Sequence, residues 1–436
     1  MSRKQKITAA GFFIILAVFL SLVAYTIVCL STAARLMDSG DYMQAKSWYE
    51  KIHDVKKIRQ CDDAYAEQRY QKAAGDMERG EYDDAKALLK ELGDYRNSAE
   101  LADKCDYLKA IALSNDGKYS EAVAVFETLG DYSDSTAWLE AARERLYQQA
   151  TRLTYELELE SARPLWAQLG DYRDSEELLR RCDRLLTLKA DETRQKLLVP
   201  ENLYSVEDDI VRYNCELGYV AVPKECNDDT RFFIYFPGGR EIEISLDVFA
   251  YYSMAPAPNT IGVFLHNNGL SDMESKTAAA LDMLEQVAME CGVFVHDLMV
   301  CGSSLGVYPT INSVVYCYED HGISVDCALL LDAGNDWLEL DLLPSLEGWA
   351  MAAEAGTDFY IFEGPGVGMN RLAIRTMVNS GNSATVVICY DDDHEQITLD
   401  AMGMGIMDWA LGERTKDFDS IYYRFVPLYP GSTYPN

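Results

Sequence analysis

Basic residues are scarce in this sequence of 436 residues. Lys and Arg together number 39 against 71 Asp and Glu, so the formal net charge is −32 at pH 7. A surface this acidic repels polyanions, which argues against nucleic acid as a partner and favours a soluble, self-repelling surface.

Metal-ligand patterns are also missing. The eleven cysteines contain no C-x-x-C pair, and the five histidines form no His/Cys cluster with zinc spacing, so a structural zinc site is not indicated. We therefore expect neither a metal nor a cofactor. An odd number of cysteines cannot all pair, and the one pair considered for a bridge is Cys215 with Cys226, which bracket a predicted hairpin.

One long apolar run lies near the N-terminus. Ala9 to Leu30 carry no charge, and a helix of this length spans about 33 Å, enough to cross the hydrocarbon core of a membrane. Because Arg3, Lys4 and Lys6 precede the run, the positive-inside bias predicts a single-pass membrane anchor with a cytoplasmic N-terminus and an extracytoplasmic remainder. The alternative is a cleaved signal peptide ending near Ser31-Thr32-Ala33, although the run exceeds the usual signal-peptide core of about 7–15 residues.

Residues 32–198 carry two interleaved series of turn signals. The pattern G-x-Y begins at Gly40, Gly80 and Gly117. The pattern L-G-D-Y begins at Leu92, Leu129 and Leu169, each followed by a serine suited to a helix start at Ser98, Ser135 and Ser175. Two turns per period, joined by Ala- and Leu-rich segments, predict two helices per repeat and hence a helical solenoid.

This array resembles tetratricopeptide-type repeats, although its spacings of 37 and 40 residues exceed that family's usual length of about 34. The resemblance implies about four units with a concave surface that binds a protein or peptide partner. The array could equally serve as a stalk that holds the following domain away from the membrane.

From residue 199 the pattern changes to strands that alternate with helices. A hairpin is predicted over Asp209 to Val222, and helices near Ile244 to Ser253, from Ser271, and near Arg371 to Ser380. The strands are predicted over Arg231 to Phe236, Thr260 to Leu265, Leu298 to Cys301, Val325 to Leu331, Phe359 to Phe362 and Thr385 to Tyr390. Such alternation predicts an α/β domain over 199–415 with a mainly parallel, doubly covered sheet, which leaves 1–31 as cytoplasmic tip and anchor and 416–436 as a C-terminal tail.

The segment Gly302-Ser303-Ser304-Leu305-Gly306, hereafter the elbow, lies between a predicted buried strand and a predicted helix. In a G-x-S-x-G turn the central serine occupies a strained conformation, so only very small residues fit two positions to either side. The elbow and Phe236-Pro237-Gly238-Gly239 together resemble the esterase and lipase branch of the α/β-hydrolase fold, over about 205–415. The family's histidine in the glycine turn is replaced by Pro237.

The resemblance implies that Ser304 is the catalytic nucleophile. It also implies that the backbone N–H groups of Leu305 and of Gly238 or Gly239 form an oxyanion hole.

A serine needs a base that accepts its proton. His53 lies in the repeat array, His296 and His321 are expected at the far edge of the sheet, and His266 precedes the serine. Only His394 follows the last predicted strand, where the family's order of serine, acid and histidine requires the base.

The acid is less clearly marked. Most members of the family place it just beyond the strand that here ends at Phe362, but Gly364 to Asn370 contain no carboxylate. Asp332, which closes a buried strand and could orient the imidazole, is preferred; Glu363 and Asp336 are the alternatives.

The sequence is compatible with two alternative functions. The first is a membrane-anchored, extracytoplasmic serine hydrolase of the esterase type, which cleaves an acyl ester or transfers the acyl group through Ser304. The second is a non-catalytic interaction protein with a degenerate hydrolase fold, an alternative motivated by the missing carboxylate. Labelling with a fluorophosphonate separates the two, because the probe reacts with an activated serine only.

Overall fold

A computed structural model of the chain describes residues 3–207, 209–238, 259–265, 273–331, 343–364, 371–389, 410 and 423–432. The chain forms two compact units, Met1–Leu146 and Tyr147–Asn436. The sequence instead predicts a domain boundary between residues 198 and 199, and that boundary stays a prediction.

Residues 3–190 are helical apart from short turns. The helices are α1 (Arg3–Asp38), α2 (Tyr42–Glu50), α3 (Val55–Glu78), α4 (Tyr82–Leu92), α5 (Ser98–Asn115), α6 (Tyr119–Leu129), α7 (Ser135–Tyr155), α8 (Leu159–Leu169) and α9 (Ser175–Ala190). The helices α5, α7 and α9 begin at the three serines that the sequence marks as helix starts.

Within the described residues, α1 is the one helix long and apolar enough to cross a membrane. Its apolar side chains are largely exposed, as in Phe13, Ile15 and Leu22. A membrane anchor and a signal sequence share these properties, so the orientation of the chain stays a prediction.

One hydrogen bond recurs in the helical pairs. A tyrosine hydroxyl on a long helix donates to the side-chain oxygen of the residue before the next long helix: Tyr70 to Asn97, Tyr107 to Asp134, and Tyr147 to Asp174. The donors are separated by the same 37 and 40 residues as the turn signals. The pairing of helices is therefore observed, whereas the solenoid and its tetratricopeptide-like character are not confirmed.

In the part of the remaining chain that the structure describes, the strands form a ten-stranded sheet. Its strands are β1 (Leu203–Glu207), β2 (Ile210–Cys215), β3 (Gly218–Pro223), β4 (Arg231–Phe236), β5 (Thr260–Leu265), β6 (Leu298–Ser303), β7 (Val325–Leu331), β8 (Asp358–Glu363), β9 (Ser383–Cys389) and β10 (Tyr423–Leu428). The order across the sheet is β1-β2-β3-β5-β4-β6-β7-β8-β9-β10.

The centre of this sheet is parallel, but both its edges are antiparallel. β5, β4, β6, β7, β8 and β9 pair in parallel, whereas β1, β2 and β3 pair antiparallel with their neighbours and β10 pairs antiparallel with β9. The expectation of a mainly parallel sheet is thus corrected at its edges. Among β1, β2 and β3, the short connections permit only antiparallel pairing. β10 extends the sheet into the segment that the sequence assigns to a tail.

Four described helices cover one face of the sheet. They are α10 (Met273–Glu290), α11 (Val307–His321), α12 (Leu346–Glu354) and α13 (Arg371–Asn379). Leu284, Ile311, Trp349 and Met377 from these helices share a buried cluster with Ile234 of β4. The opposite face of the sheet carries a second buried cluster, and burial on both faces is what central parallel strands require. The predicted helix near Ile244 to Ser253 lies outside the described residues.

A buried group of charges joins α9 to α10 within the second unit. Arg181, 5% exposed, forms an ion pair with Glu285, 1% exposed, through Nε and Oε1 at 3.3 Å, and it donates to Val295 O at 2.6 Å. Arg184 forms a second ion pair with Glu285. Because an uncompensated buried charge is costly, these pairs make α9 and α10 energetically interdependent.

Candidate active site

Ser304 occupies the turn between β6 and α11. Its φ is +52°, and a single turn of 3₁₀ helix, Ser304–Gly306, leads directly into α11. A left-handed conformation costs a non-glycine residue roughly 1–2 kcal/mol and persists only where the surroundings enforce it. This is the strained strand-to-helix turn that the elbow predicts.

The glycines of the elbow are required by close packing. A Cβ on Gly302 would lie 2.2 Å from Gly306 O, and a Cβ on Gly306 would lie 2.0 Å from Phe236 O at the end of β4. The Thr310 hydroxyl donates to Gly306 O at 2.8 Å and so ties the turn to the first residues of α11. Any side chain at either glycine would therefore displace the serine between them.

The turn after β4 lies against Ser304. β4 and β6 are neighbours with Phe236 opposite Gly302, which brings Gly238 to the elbow. A Cβ on Gly238 would lie 2.6 Å from Ser304 Cβ and 2.2 Å from Ser303 O. The structure thus brings together Gly238, Ser304 and Leu305, whereas Gly239 lies outside the described residues.

Tyr235 supports the elbow from inside the sheet, a contact that the sequence analysis missed. Its buried side chain is hydrogen-bonded to the Ser303 side chain. Burial raises the pKa of Tyr235 well above its ordinary value, so the hydroxyl keeps its proton. The available signal was that Tyr235 carries the one uncharged polar side chain in the strand Arg231-Phe232-Phe233-Ile234-Tyr235-Phe236.

Glu363 is the one candidate acid among the described residues. It ends β8 and is 8% exposed. Ser303 is paired with Leu331 of β7, and Leu331 with Phe362 of β8. Ser304 follows β6 and Glu363 ends β8, two strands away, so their backbones lie roughly 10 Å from each other by strand spacing.

The other predicted site residues are not described. His394, Asp332 and Asp336 lie outside the described residues, as does His266. Asp332 directly follows Leu331, the partner of Ser303 in β7.

Two histidines set aside by the sequence analysis are found away from Ser304. His296 precedes β6, and its Nδ1 lies 3.0 Å from Asp297 Oδ2. His321 ends α11 and is buried, with Nδ1 3.9 Å from Glu285 Oε2. Because Ser304 follows the carboxyl end of β6, neither histidine is on its edge of the sheet.

One cluster contains side chains of the types that bind metals. Oxygen or nitrogen atoms of Asp282, Glu285 and His321 lie within 4.8 Å of one another. Arg181 and Arg184 already pair with Glu285, so these two arginines compensate the buried negative charge of Glu285.

A cavity of about 250 Å³ opens at the edge of the sheet opposite Ser304. Its lining includes Tyr155 of α7 and Arg181 of α9, together with Phe294, His296 and Asp297, which precede β6. Ser304, Leu305, Gly238 and Glu363, the candidate site residues that the structure describes, do not line it, so this cavity is separate from the elbow.

No protein-family model matches the chain, and no curated protein matches its sequence. Among solved structures, it is similar to carboxyl esterase 2 (TmelEST2) from the mycorrhizal fungus Tuber melanosporum, with a TM-score of 0.36 and 12% identity over 53% of this chain and 96% of that one. It is also similar to EstE1, a thermostable carboxylesterase from a metagenomic library, with a TM-score of 0.33 and 15% identity over 55% of this chain and 95% of that one.

A third similar structure is a thermostable esterase from Pseudomonas putida, with a TM-score of 0.33 and 12% identity over 54% of this chain and 88% of that one. Because these TM-scores and sequence identities are low, no property of these enzymes is inferred for this chain.

Proposed function

We propose that residues 199–415 form a serine hydrolase of the α/β-hydrolase type that acts on acyl esters through an acyl-Ser304 intermediate. The observation that carries the proposal is the conformation of Ser304: a non-glycine residue at φ +52° between β6 and α11, with Gly238 packed against its side chain. A strained serine enclosed by glycines is what a nucleophile elbow requires.

In this proposal Ser304 Oγ attacks the ester carbonyl while His394 accepts the hydroxyl proton. The carbonyl oxygen becomes an oxyanion, which accepts hydrogen bonds from the N–H of Leu305 and from that of Gly238 or Gly239. His394 then protonates the leaving alcohol. Water or a second alcohol releases the acyl group, so hydrolysis and acyl transfer use the same residues.

Asp332 is the proposed acid that orients His394, with Glu363 and Asp336 as alternatives. The position of Asp332 immediately after β7, next to the strand that carries Ser304, supports the first choice. The burial of Glu363 at the end of β8 supports keeping it as the second.

The proposal places the enzyme on a membrane. α1 serves as the anchor, with the N-terminus in the cytoplasm and the hydrolase domain outside; a cleaved signal peptide is the alternative. The paired helices of residues 32–198, taken as a tetratricopeptide-like array, bind a protein or peptide partner or act as a stalk. The length and composition of α1 and the recurring tyrosine hydrogen bonds support these assignments.

A fluorophosphonate probe tests the proposal. The full chain in detergent is expected to become labelled, and Ser304→Ala is expected to abolish labelling without loss of folded structure. Ser380→Ala is the matched control, because Ser380 lies between α13 and β9, away from the elbow. Its hydroxyl donates a hydrogen bond to Thr376 O at 2.9 Å. A folded wild-type chain that resists the probe would favour the non-catalytic interaction protein.

A further inference from the structure

The cavity of about 250 Å³ at the edge of the sheet opposite Ser304 is not used by the proposed hydrolysis. One of its walls comes from α7, α8 and α9, and the other comes from the segments that precede β6 and β8 and from the start of β7. All of its lining residues belong to the second compact unit. At about 30 Å³ for each water molecule, the space admits a small molecule or one long side chain.

Aromatic rings line this cavity. Tyr155 stacks on His296, with ring centroids 5.5 Å apart and planes at 26°, and its centroid lies 5.1 Å from that of Phe294. Trp166 of α8 also lines the cavity, and its indole N–H donates to Thr154 Oγ1 at 2.9 Å. The face of an aromatic ring is negative and attracts a cation that lies within about 6 Å of the centroid.

Two rings of the lining already hold cations of the chain itself. Arg181 Cζ lies 3.9 Å from the ring centroid of Phe294, and Arg173 Cζ lies 5.1 Å from that of Tyr147. The aromatic rings in this part of the structure therefore stabilise positive charge.

Acidic side chains outnumber basic ones in the lining. Asp174, Asp297 and Asp326 line the cavity together with one arginine, Arg181. Arg181 forms the buried ion pair with Glu285, so its charge is already compensated. The remaining charge of the lining is negative, and a chain of net charge −32 adds to the attraction of a cation.

We propose that this cavity binds a primary alkylammonium group. The aromatic rings contact the hydrocarbon chain and the charged head, and the carboxylates accept hydrogen bonds from the three N–H groups. A carboxylate has about four acceptor sites, so Asp174 and Asp297 can accept such a bond in addition to their contacts with Tyr147 and His296. The proposal is independent of the hydrolase function.

Binding of n-butylammonium to the full chain in detergent tests the proposal, with 1-butanol as the neutral analogue. We expect a Kd on the order of 1 mM for n-butylammonium, as suits so small a ligand. Binding of 1-butanol should be weaker by about tenfold, because it lacks the charge. Ligand-observed NMR titrations measure both, and added NaCl should weaken only the binding of the cation.

A free alkylamine and the lysine side chain of a protein partner present the same group. The peptide acetyl-Gly-Lys-Gly-amide separates these two sources in the same titration. Binding tighter than that of n-butylammonium assigns the cavity to a lysine side chain, whereas weaker binding assigns it to a free amine.

Two variants locate the binding. Asp297→Asn removes one charge, asparagine tolerates the left-handed backbone at φ +45°, and the Asp297 side chain is 75% exposed, so the variant should stay folded. Tyr155→Leu keeps an apolar side chain and removes the ring. Each variant should weaken the binding of n-butylammonium by about fivefold, and circular dichroism checks that each is folded.

Asp131→Asn is the matched control, because Asp131 is exposed in the turn between α6 and α7 and does not line the cavity. This variant should bind n-butylammonium like the wild type, and so should Ser304→Ala. Absence of binding to the wild type, equal affinities for n-butylammonium and 1-butanol, or wild-type binding by both folded cavity variants would overturn the proposal.

Discussion

Replacing Gly238 by alanine tests whether the turn after β4 and the elbow work as one site. The φ of Gly238 is not in the left-handed region, so alanine can adopt the backbone conformation and only space is at issue. The new Cβ would lie 2.2 Å from Ser303 O, where real contacts of Cβ atoms do not fall below 3.0 Å. The turn and the elbow must therefore move apart by roughly 0.8 Å, a cost of overpacking of about 1–3 kcal/mol.

A displacement on the order of 1 Å at a reacting group costs about 10²-fold in rate, and loss of one oxyanion donor costs about 10²–10³-fold. We expect the rate constant for fluorophosphonate labelling of Gly238→Ala to fall by about 10²-fold. Time courses of labelling give this rate, and circular dichroism with thermal melting confirms that the variant is folded.

Gly75→Ala is the control for Gly238→Ala. Gly75 lies inside α3, and an added Cβ would meet only Arg79 Nη1, at 3.4 Å. Alanine in a helix is favoured over glycine by about 1 kcal/mol, so this variant should be at least as stable as the wild type and label normally. A folded Gly238→Ala that labels at the wild-type rate would refute the reasoning, since the turn could then be no part of the site.

Three further predictions concern the buried charges, the remaining catalytic residues and the topology. Glu285→Gln should lower the free energy of unfolding by about 3–5 kcal/mol, because it leaves Arg181 buried without its counter-charge; denaturant titration measures this. Burial raises the pKa of Glu285, but His321 and the two arginines outweigh burial and lower it overall. The resulting stabilisation is present above the unfolded carboxyl pKa of about 4.3 and is lost as pH falls through the lower folded value, so the deficit of the Gln variant should shrink in acid. His394→Ala should reduce fluorophosphonate labelling strongly, and Asp332→Asn should reduce it more than Glu363→Gln; the reverse order would transfer the acid role to Glu363. Protease added outside intact cells should remove everything after α1 and spare the N-terminus, as the positive-inside bias requires, whereas a protected hydrolase domain would reverse the topology.

Local patterns in the sequence were sufficient for most of the elements. Short runs of apolar residues located β4, β5, β6 and β7, since such strands are buried on both faces and need no distant partner to be identified. The serines after each L-G-D-Y turn marked the starts of α5, α7 and α9. The elbow could also be identified from neighbouring residues alone, because glycine two positions to either side of Ser304 is a steric requirement of the turn itself.

Only the tertiary structure decided which residues meet. Sheet order brought Gly238 against Ser304 and placed Glu363 two strands away. From the sequence, the neighbourhood of Gly238 and Ser304 followed only from the family resemblance, because nothing within either segment specifies it. The hydrogen bond between Tyr235 and Ser303 and the ion pair of Arg181 with Glu285 join segments far apart in sequence. Each depends on how helices and strands pack across the whole sheet, so local periodicity and spacing contain no information about it.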